Sequence, residues 1–188
     1  VHTNVVLVID ASDSMKDAAG ATAGTKLEAA QTAARQFVDL LVLAPDGDWA
    51  GVVAFNDTAT VAAPIGSDRA TLHAAIDGIE TAPGTRMDAA LRLAMDVLTN
   101  DQRGLPMPID NNDAVVLLTD GRPNPAASGP DALAFAELVS ASIFTIGLGQ
   151  DVDADFLRAL ATHEDMYFAS TDASGLAAIY ARIAYSLP

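Results

Sequence analysis

Residues Asn4 to Asp10 read Asn-Val-Val-Leu-Val-Ile-Asp, an unbroken aliphatic run that ends on a carboxylate. A strand with one wet face alternates apolar and polar side chains. This run has no such alternation, so it belongs inside a sheet covered on both faces, as parallel strands are. Next along the chain, Thr25-Lys26-Leu27-Glu28 has the form of a capping box, and Leu27, Ala30, Ala34, Phe37, Val38 and Leu41 recur at helical spacing. A helix from about Lys26 to Leu43 is predicted. Pro45-Asp46-Gly47-Asp48 is turn chemistry, after which Trp49 to Phe55 and Ala59 to Ala63 read as a hairpin around Asn56-Asp57.

The rest of the chain alternates in the same manner. Helices are predicted over Asp68 to Ile79 and Arg86 to Leu98, the second entered through Pro83-Gly84-Thr85. A loop over Thr99 to Asn112 leads to a buried strand, Ala114 to Thr119. A helix (Asp131 to Val139), a strand (Ser142 to Gly147), a helix (Asp153 to Ala161), a short strand (Met166 to Ala169) and a terminal helix (Ala173 to Ser186) follow. Strands separated by helices require right-handed crossovers. The fold class is therefore α/β: a mostly parallel six-stranded sheet with helices on both faces and one antiparallel edge strand from the hairpin. Trp49, Phe55, Phe144 and the methionines are assigned to the core, and His163 to the surface.

Composition narrows the function. The 188 residues are 51% apolar and contain no cysteine, which fits one domain over residues 1–188 with a core that needs neither disulfide nor zinc. Twenty-five acidic against ten basic residues give a net charge of −15, which repels phosphate backbones and disfavours nucleic acid as a partner. No apolar run approaches the roughly 20 residues of a membrane helix, so direct membrane insertion of this segment is not expected. The chain opens Val-His-Thr-Asn, without an initiator Met or a leader, as expected of a piece excised from a longer precursor; the compartment stays open.

Only four of the 25 acids are Glu (Glu28, Glu80, Glu137, Glu164); the others are Asp, a residue of turns, caps and oxygen-rich metal sites. In open α/β sheets ligands bind beyond the carboxyl ends of the strands. Two strands here end in Asp. Asp10 begins Asp10-Ala11-Ser12-Asp13-Ser14, and Asp120 closes a strand run within Thr119-Asp120-Gly121. Asp10, Ser12 and Ser14 alternate by two and can aim hard oxygens at one point, which suits Mg²⁺, with Mn²⁺ or Ca²⁺ as alternatives; the scattered His2, His73 and His163 offer no zinc or iron set. With Asp10 and Asp120 as its only anionic protein ligands, such a metal keeps enough Lewis acidity to attract a carboxylate from outside.

Asp10-x-Ser12-x-Ser14 after the first strand, Gly84-Thr85 before a helix and Thr119-Asp120-Gly121 after a later strand together resemble the von Willebrand factor A domain over nearly the whole chain. The resemblance implies a doubly wound, Rossmann-like sheet with a metal-ion-dependent adhesion site built from Asp10, Ser12, Ser14, Thr85 and Asp120. It also implies that the metal takes an Asp or Glu of a protein partner, while Thr85 and Asp120 exchange direct and water-mediated contact as affinity changes. Asp13 departs from the Gly often found between the two serines. It either faces solvent or adds negative charge beside the ion.

Ordinary explanations stand beside these. Thr85-Arg86-Met87-Asp88 also reads as a capping-box-like helix start, Asp10 to Ser14 as an Asx/Ser turn, and Gly121 to Pro125 as a solvated turn in which Arg122 and Asn124 happen to lie near the site. Gly20 to Lys26 lacks the phosphate-wrapping spacing, Gly147-Leu148-Gly149 lacks a third glycine at Val152, and no Gly-x-Ser-x-Gly elbow occurs. The leading functional reading is a non-enzymatic, Mg²⁺-dependent protein-binding module of the adhesion type, for which the cell surface is favoured while the compartment stays open. The alternative is a module of an intracellular assembly working with an ATPase. A Mg²⁺-dependent phosphoryl transferase using Asp10 ranks last, because Ser12 stands where a second acid is wanted.

Overall fold

Strand β1 (Thr3–Asp10) is buried along its whole length and pairs in parallel on both sides, with β2 (Trp49–Phe55) and with β4 (Asn112–Thr119). The structure is a computed structural model and describes residues 2–20, 24–99 and 111–187. Among the described residues, six strands form one sheet in the order β3-β2-β1-β4-β5-β6, where β3 is Ala59–Gly66, β5 Ser142–Leu148 and β6 Tyr167–Ser170. Of these six, β3 at one edge is the antiparallel one.

Alternate residues of β1 feed two separate cores. Val5, Leu7 and Ile9 point to the layer made by α1 (Lys26–Leu40), α2 (Arg69–Asp77) and α6 (Leu176–Ala184). Val6 and Val8 point to the layer made by α3 (Met87–Thr99), α4 (Ser128–Ala136) and α5 (Ala154–Leu160). The absence of alternation in Val5 to Ile9 thus reflects two covered faces. On α1, Leu27, Ala30, Ala34, Phe37 and Val38 are buried, and the Phe37 ring meets Tyr180 of α6 at 5.6 Å between centroids. The Thr25 to Glu28 capping box forms in full: Thr25 Oγ1 accepts from Glu28 N–H, and Glu28 Oε2 accepts from Thr25 N–H.

Element order follows the sequence pattern; the ends differ for physical reasons. Helix α1 stops at Leu40 rather than Leu43, because the Asp48 carboxylate takes the Val42 N–H at 2.7 Å and also the Thr3 N–H at 2.9 Å, drawing the chain toward β1. Strand β3 runs past Ala63 to Gly66 because Pro64 lies on an edge, where its missing N–H faces no partner strand. Helix α4 starts at Ser128, before the expected Asp131, since Pro130 in a first turn lacks only an N–H that the helix does not use. The terminal helix begins as a short 3₁₀ turn, Ala173–Gly175, before α6. Most of the loop expected over 99–112 lies outside the described residues; its last residue, Asn112, opens β4.

The order β2-β1-β4 makes the gap between β1 and β4 the place where successive connections diverge. Ile9 lies opposite Leu118 across that gap. Asp10 and Asp120 therefore emerge at the same end of the sheet.

Candidate metal-binding loop cluster

Burial of Asp10 is complete, and neutral donors hold both of its carboxylate oxygens. Oδ1 accepts from Ser12 N–H at 2.7 Å and Oδ2 from the Thr119 hydroxyl at 2.6 Å. Burial pushes its pKa up to about 6; the hydrogen bonds from Ser12 and Thr119 oppose that rise, and the charge of Asp120 adds to it. From Ser12 a chain of oxygens runs outward. Ser12 Oγ and Ser14 Oγ are 3.1 Å apart, and Ser14 Oγ donates to Asp120 Oδ1 at 2.7 Å. Asp120 is 2% exposed, and its other oxygen, Oδ2, accepts from Lys26 Nζ at 2.7 Å.

Four of the five predicted site residues are thereby linked: Asp10 to Ser12, Ser12 to Ser14, and Ser14 to Asp120. The fifth, Thr85, is 7% exposed and reaches the cluster through backbone. Thr85 N–H donates to Asn124 O at 3.3 Å and Asn124 N–H to Thr85 O at 3.0 Å, so the loop before α3 is stitched to the loop after Asp120. Other backbone bonds fix this rim: Ala11 N–H to Phe55 O, Ala82 N–H to Ala11 O, Arg86 N–H to Asn56 O, and Asp57 N–H to Pro83 O, all between 2.7 and 2.9 Å. The three loops are one connected surface.

Gly84 makes that stitching possible. Its φ is +97°, and a Cβ there would lie 2.6 Å from the Asp57 backbone. Gly84→Ala combines left-handed strain with a backbone clash and is expected to lower stability by roughly 2–4 kcal/mol. Denaturant unfolding measures this; a loss under about 0.5 kcal/mol would mean that the loop tolerates displacement.

Asp13 is exposed and pairs with Lys16, so of the two possibilities raised for it the solvent-facing one is seen. Arg86 Nε and Nη2 each donate to the Asp88 carboxylate at 2.8 Å, and this pairing, more than the Ala89 N–H, holds its pKa below the ordinary carboxylate range. Asn124 joins the Thr85 bridge and starts a cis peptide to Pro125, while Arg122 donates to Asp151 O. Trp49, Phe55, Phe144, Met15 and Met87 are buried, Met95 and Met166 are half-buried against the core, Met107 lies outside the described residues, and His163 is exposed.

Sequence reading assigned no site role to two residues of the cluster. Thr119 reads as the last residue of a buried strand, yet its hydroxyl holds Asp10. Lys26 reads only as the start of α1. The signal for it was positional: in a parallel α/β sheet a helix following a strand begins at that strand's carboxyl end, beside the loops. Among the described residues no group of three or more His, Asp or Glu side chains is placed to hold a metal; the donor set here is two carboxylates and the hydroxyls between them.

A model of the von Willebrand factor type A domain matches residues 4–182. The human inter-alpha-trypsin inhibitor heavy chain H4 is 30% identical over 169 residues, covering 84% of this chain and 17% of that protein. Among solved structures, proximal thread matrix protein 1 from the mussel byssus, with a zinc-occupied MIDAS motif, superposes with a TM-score of 0.79 at 24% identity, over 97% of this chain and 45% of that one. The vWF domain of the type V pili tip protein Mfa5 from Porphyromonas gingivalis gives 0.78 at 17% identity, over 99% of this chain and 95% of that one. The chain thus spans about a sixth of the human relative's length and under half of the mussel protein's.

Proposed function

The chain belongs to the von Willebrand factor type A domain family, and on that premise we propose that its loop cluster is a divalent-cation site through which the domain binds a carboxylate of a protein partner. The observation that carries this is the run of hard oxygens from Ser12 Oγ through Ser14 Oγ to Asp120 Oδ1, with buried Asp10 anchored behind it by Ser12. Asp10, Ser12, Ser14, Thr85 and Asp120 would hold the cation. Their chemistry suits Mg²⁺, and Mn²⁺ or Ca²⁺ by the same argument, because carboxylate and hydroxyl oxygens are hard donors. The mussel protein's zinc-occupied motif supports a divalent ion in a protein that shares this fold.

Charge supports the partner chemistry. Two carboxylates balance one dication and no more, so the cation when bound would supply a Lewis-acidic point able to accept an Asp or Glu from outside. We read the role as non-enzymatic: Asp10 is fully buried and held by Ser12 and Thr119, which suits an anchor for a cation better than a nucleophile that must meet a phosphoryl group directly. The domain of a pilus tip protein among its structural relatives supports the adhesion-type reading.

Two measurements test this. Mg²⁺ or Mn²⁺ at about 100 times its dissociation constant stabilises the folded state by about 2.7 kcal/mol, raising the melting temperature of a chain this size by roughly 5–10 °C. On an array of peptides, retention of the domain is expected only on peptides bearing Asp or Glu, and only with the divalent ion present. Melting unmoved by Mg²⁺, Mn²⁺ and Ca²⁺ would remove the metal site; retention unchanged in chelator would remove the mechanism while leaving the site.

A further inference from the structure

We propose that Lys26 is a built-in competitor for the cation position: its ammonium holds Asp120 when no divalent ion is bound and must leave when one binds. The inference rests on the metal reading above and adds a residue and a regulation to it. Lys26 Nζ lies 2.7 Å from Asp120 Oδ2, while Ser14 Oγ holds Oδ1 of the same carboxylate at 2.7 Å. The lysine side chain is 18% exposed and the Asp120 side chain 0%, so the pair sits inside the rim. Asp17 Oδ2, 3.9 Å from Nζ, is the nearby acid to which the ammonium can turn, and it is 70% exposed.

The backbone keeps Lys26 within reach. Lys26 N–H donates to Asp17 O at 2.9 Å, and the Thr25 capping box fixes the first turn of α1 immediately before it. An ammonium is a compact point charge on a four-carbon stem, able to swing aside without moving the helix. Two consequences follow, of opposite sign. Without a divalent ion, Lys26 offsets the charge of a buried carboxylate and keeps Asp120 aligned with Ser14. With a divalent ion, the same ammonium repels the incoming charge at close range and weakens binding. A residue that merely supported the loop would help both states.

The test is titration calorimetry of the chain with MgCl₂ and MnCl₂, together with thermal melting in chelator, for the wild type, Lys26→Met, Lys26→Gln and the charge-preserving Lys26→Arg. Lys26→Met and Lys26→Gln are expected to bind the divalent ion at least tenfold more tightly while melting several degrees lower in chelator. Lys26→Arg is expected to stay within about threefold of the wild type. Equal or weaker metal binding by both neutral variants, with the wild type binding, overturns the competition and leaves the metal site standing. No divalent binding by any of the four chains overturns the metal site and the competition together. Binding by a neutral variant alone upholds the proposal in its strongest form. Should Lys26→Met fail to melt cooperatively, Lys26→Gln, with a polar end of similar reach, decides.

Discussion

Between pH 4 and pH 7.5, with chelator present, Asp10→Asn is expected to gain stability relative to the wild type, reaching roughly 2–3 kcal/mol at the upper end. The folded-state pKa of Asp10 is raised to about 6 from an ordinary 3.8, chiefly by burial. Below 3.8 the carboxyl is protonated in both the folded and unfolded chain, and its contribution to stability is fully present. As pH rises toward 6 the unfolded chain releases this proton and the folded chain does not, so stability falls, and above 6 the loss is complete. An asparagine has no proton to release. The other acidic residues are common to the two proteins, so most of their effect cancels in the difference. Urea unfolding at four pH values measures it, and a flat difference would show that Asp10 carries no burial penalty. In Mg²⁺ that advantage is expected to close, since a bound cation favours the ionised carboxylate and the substituted amide offers only a weaker, neutral oxygen.

The contrast between Asp10 and Lys26 shows how much of this site the sequence carries. Asp10, Ser12 and Ser14 are legible because a strand run stops at Asp10 and local spacing places the serines. Asp120 is legible because a second run stops there, and parallel pairing brings two such ends together. Lys26 belongs to the same cluster but lies 94 positions from its partner Asp120, and no periodicity connects the two. Thr119 is hidden differently: its hydroxyl serves Asp10 from within a strand whose pattern reads as pure core. Element ends depart from the local pattern where one side chain overrides it, as Asp48 does at the end of α1, or where Pro64 and Pro130 occupy positions that need no N–H. Local chemistry is written in neighbouring residues; the convergence of loops is written only in topology.

The second aspartate is expected to answer in the opposite sense. Asp120→Asn should destabilise the chain by about 1.5–3 kcal/mol in chelator at pH 7.5, because it removes a charged partner from Lys26 in a largely buried pair. The amide can turn its oxygen to Lys26 and its NH₂ to Ser14 Oγ, so the bonds to its neighbours can survive in number while the charge is lost. The hydrogen-bond donors on Asp10, from Ser12 and Thr119, are neutral, whereas Asp120 has an ammonium; deleting the charge relieves the first site and strands a cation at the second. In Mg²⁺ the two substitutions should converge, each abolishing the roughly 5–10 °C rise in melting temperature that the wild type shows. A Lys26→Met/Asp120→Asn double mutant is then expected to recover about half or more of the stability that Asp120→Asn loses in chelator, with no recovery of the Mg²⁺ response. If both aspartate variants shift stability in the same direction in chelator, the assignment of one aspartate to burial and the other to an ion pair is wrong. If Asp120→Asn retains the full Mg²⁺ rise, the cation does not sit between the loops after β1 and β4.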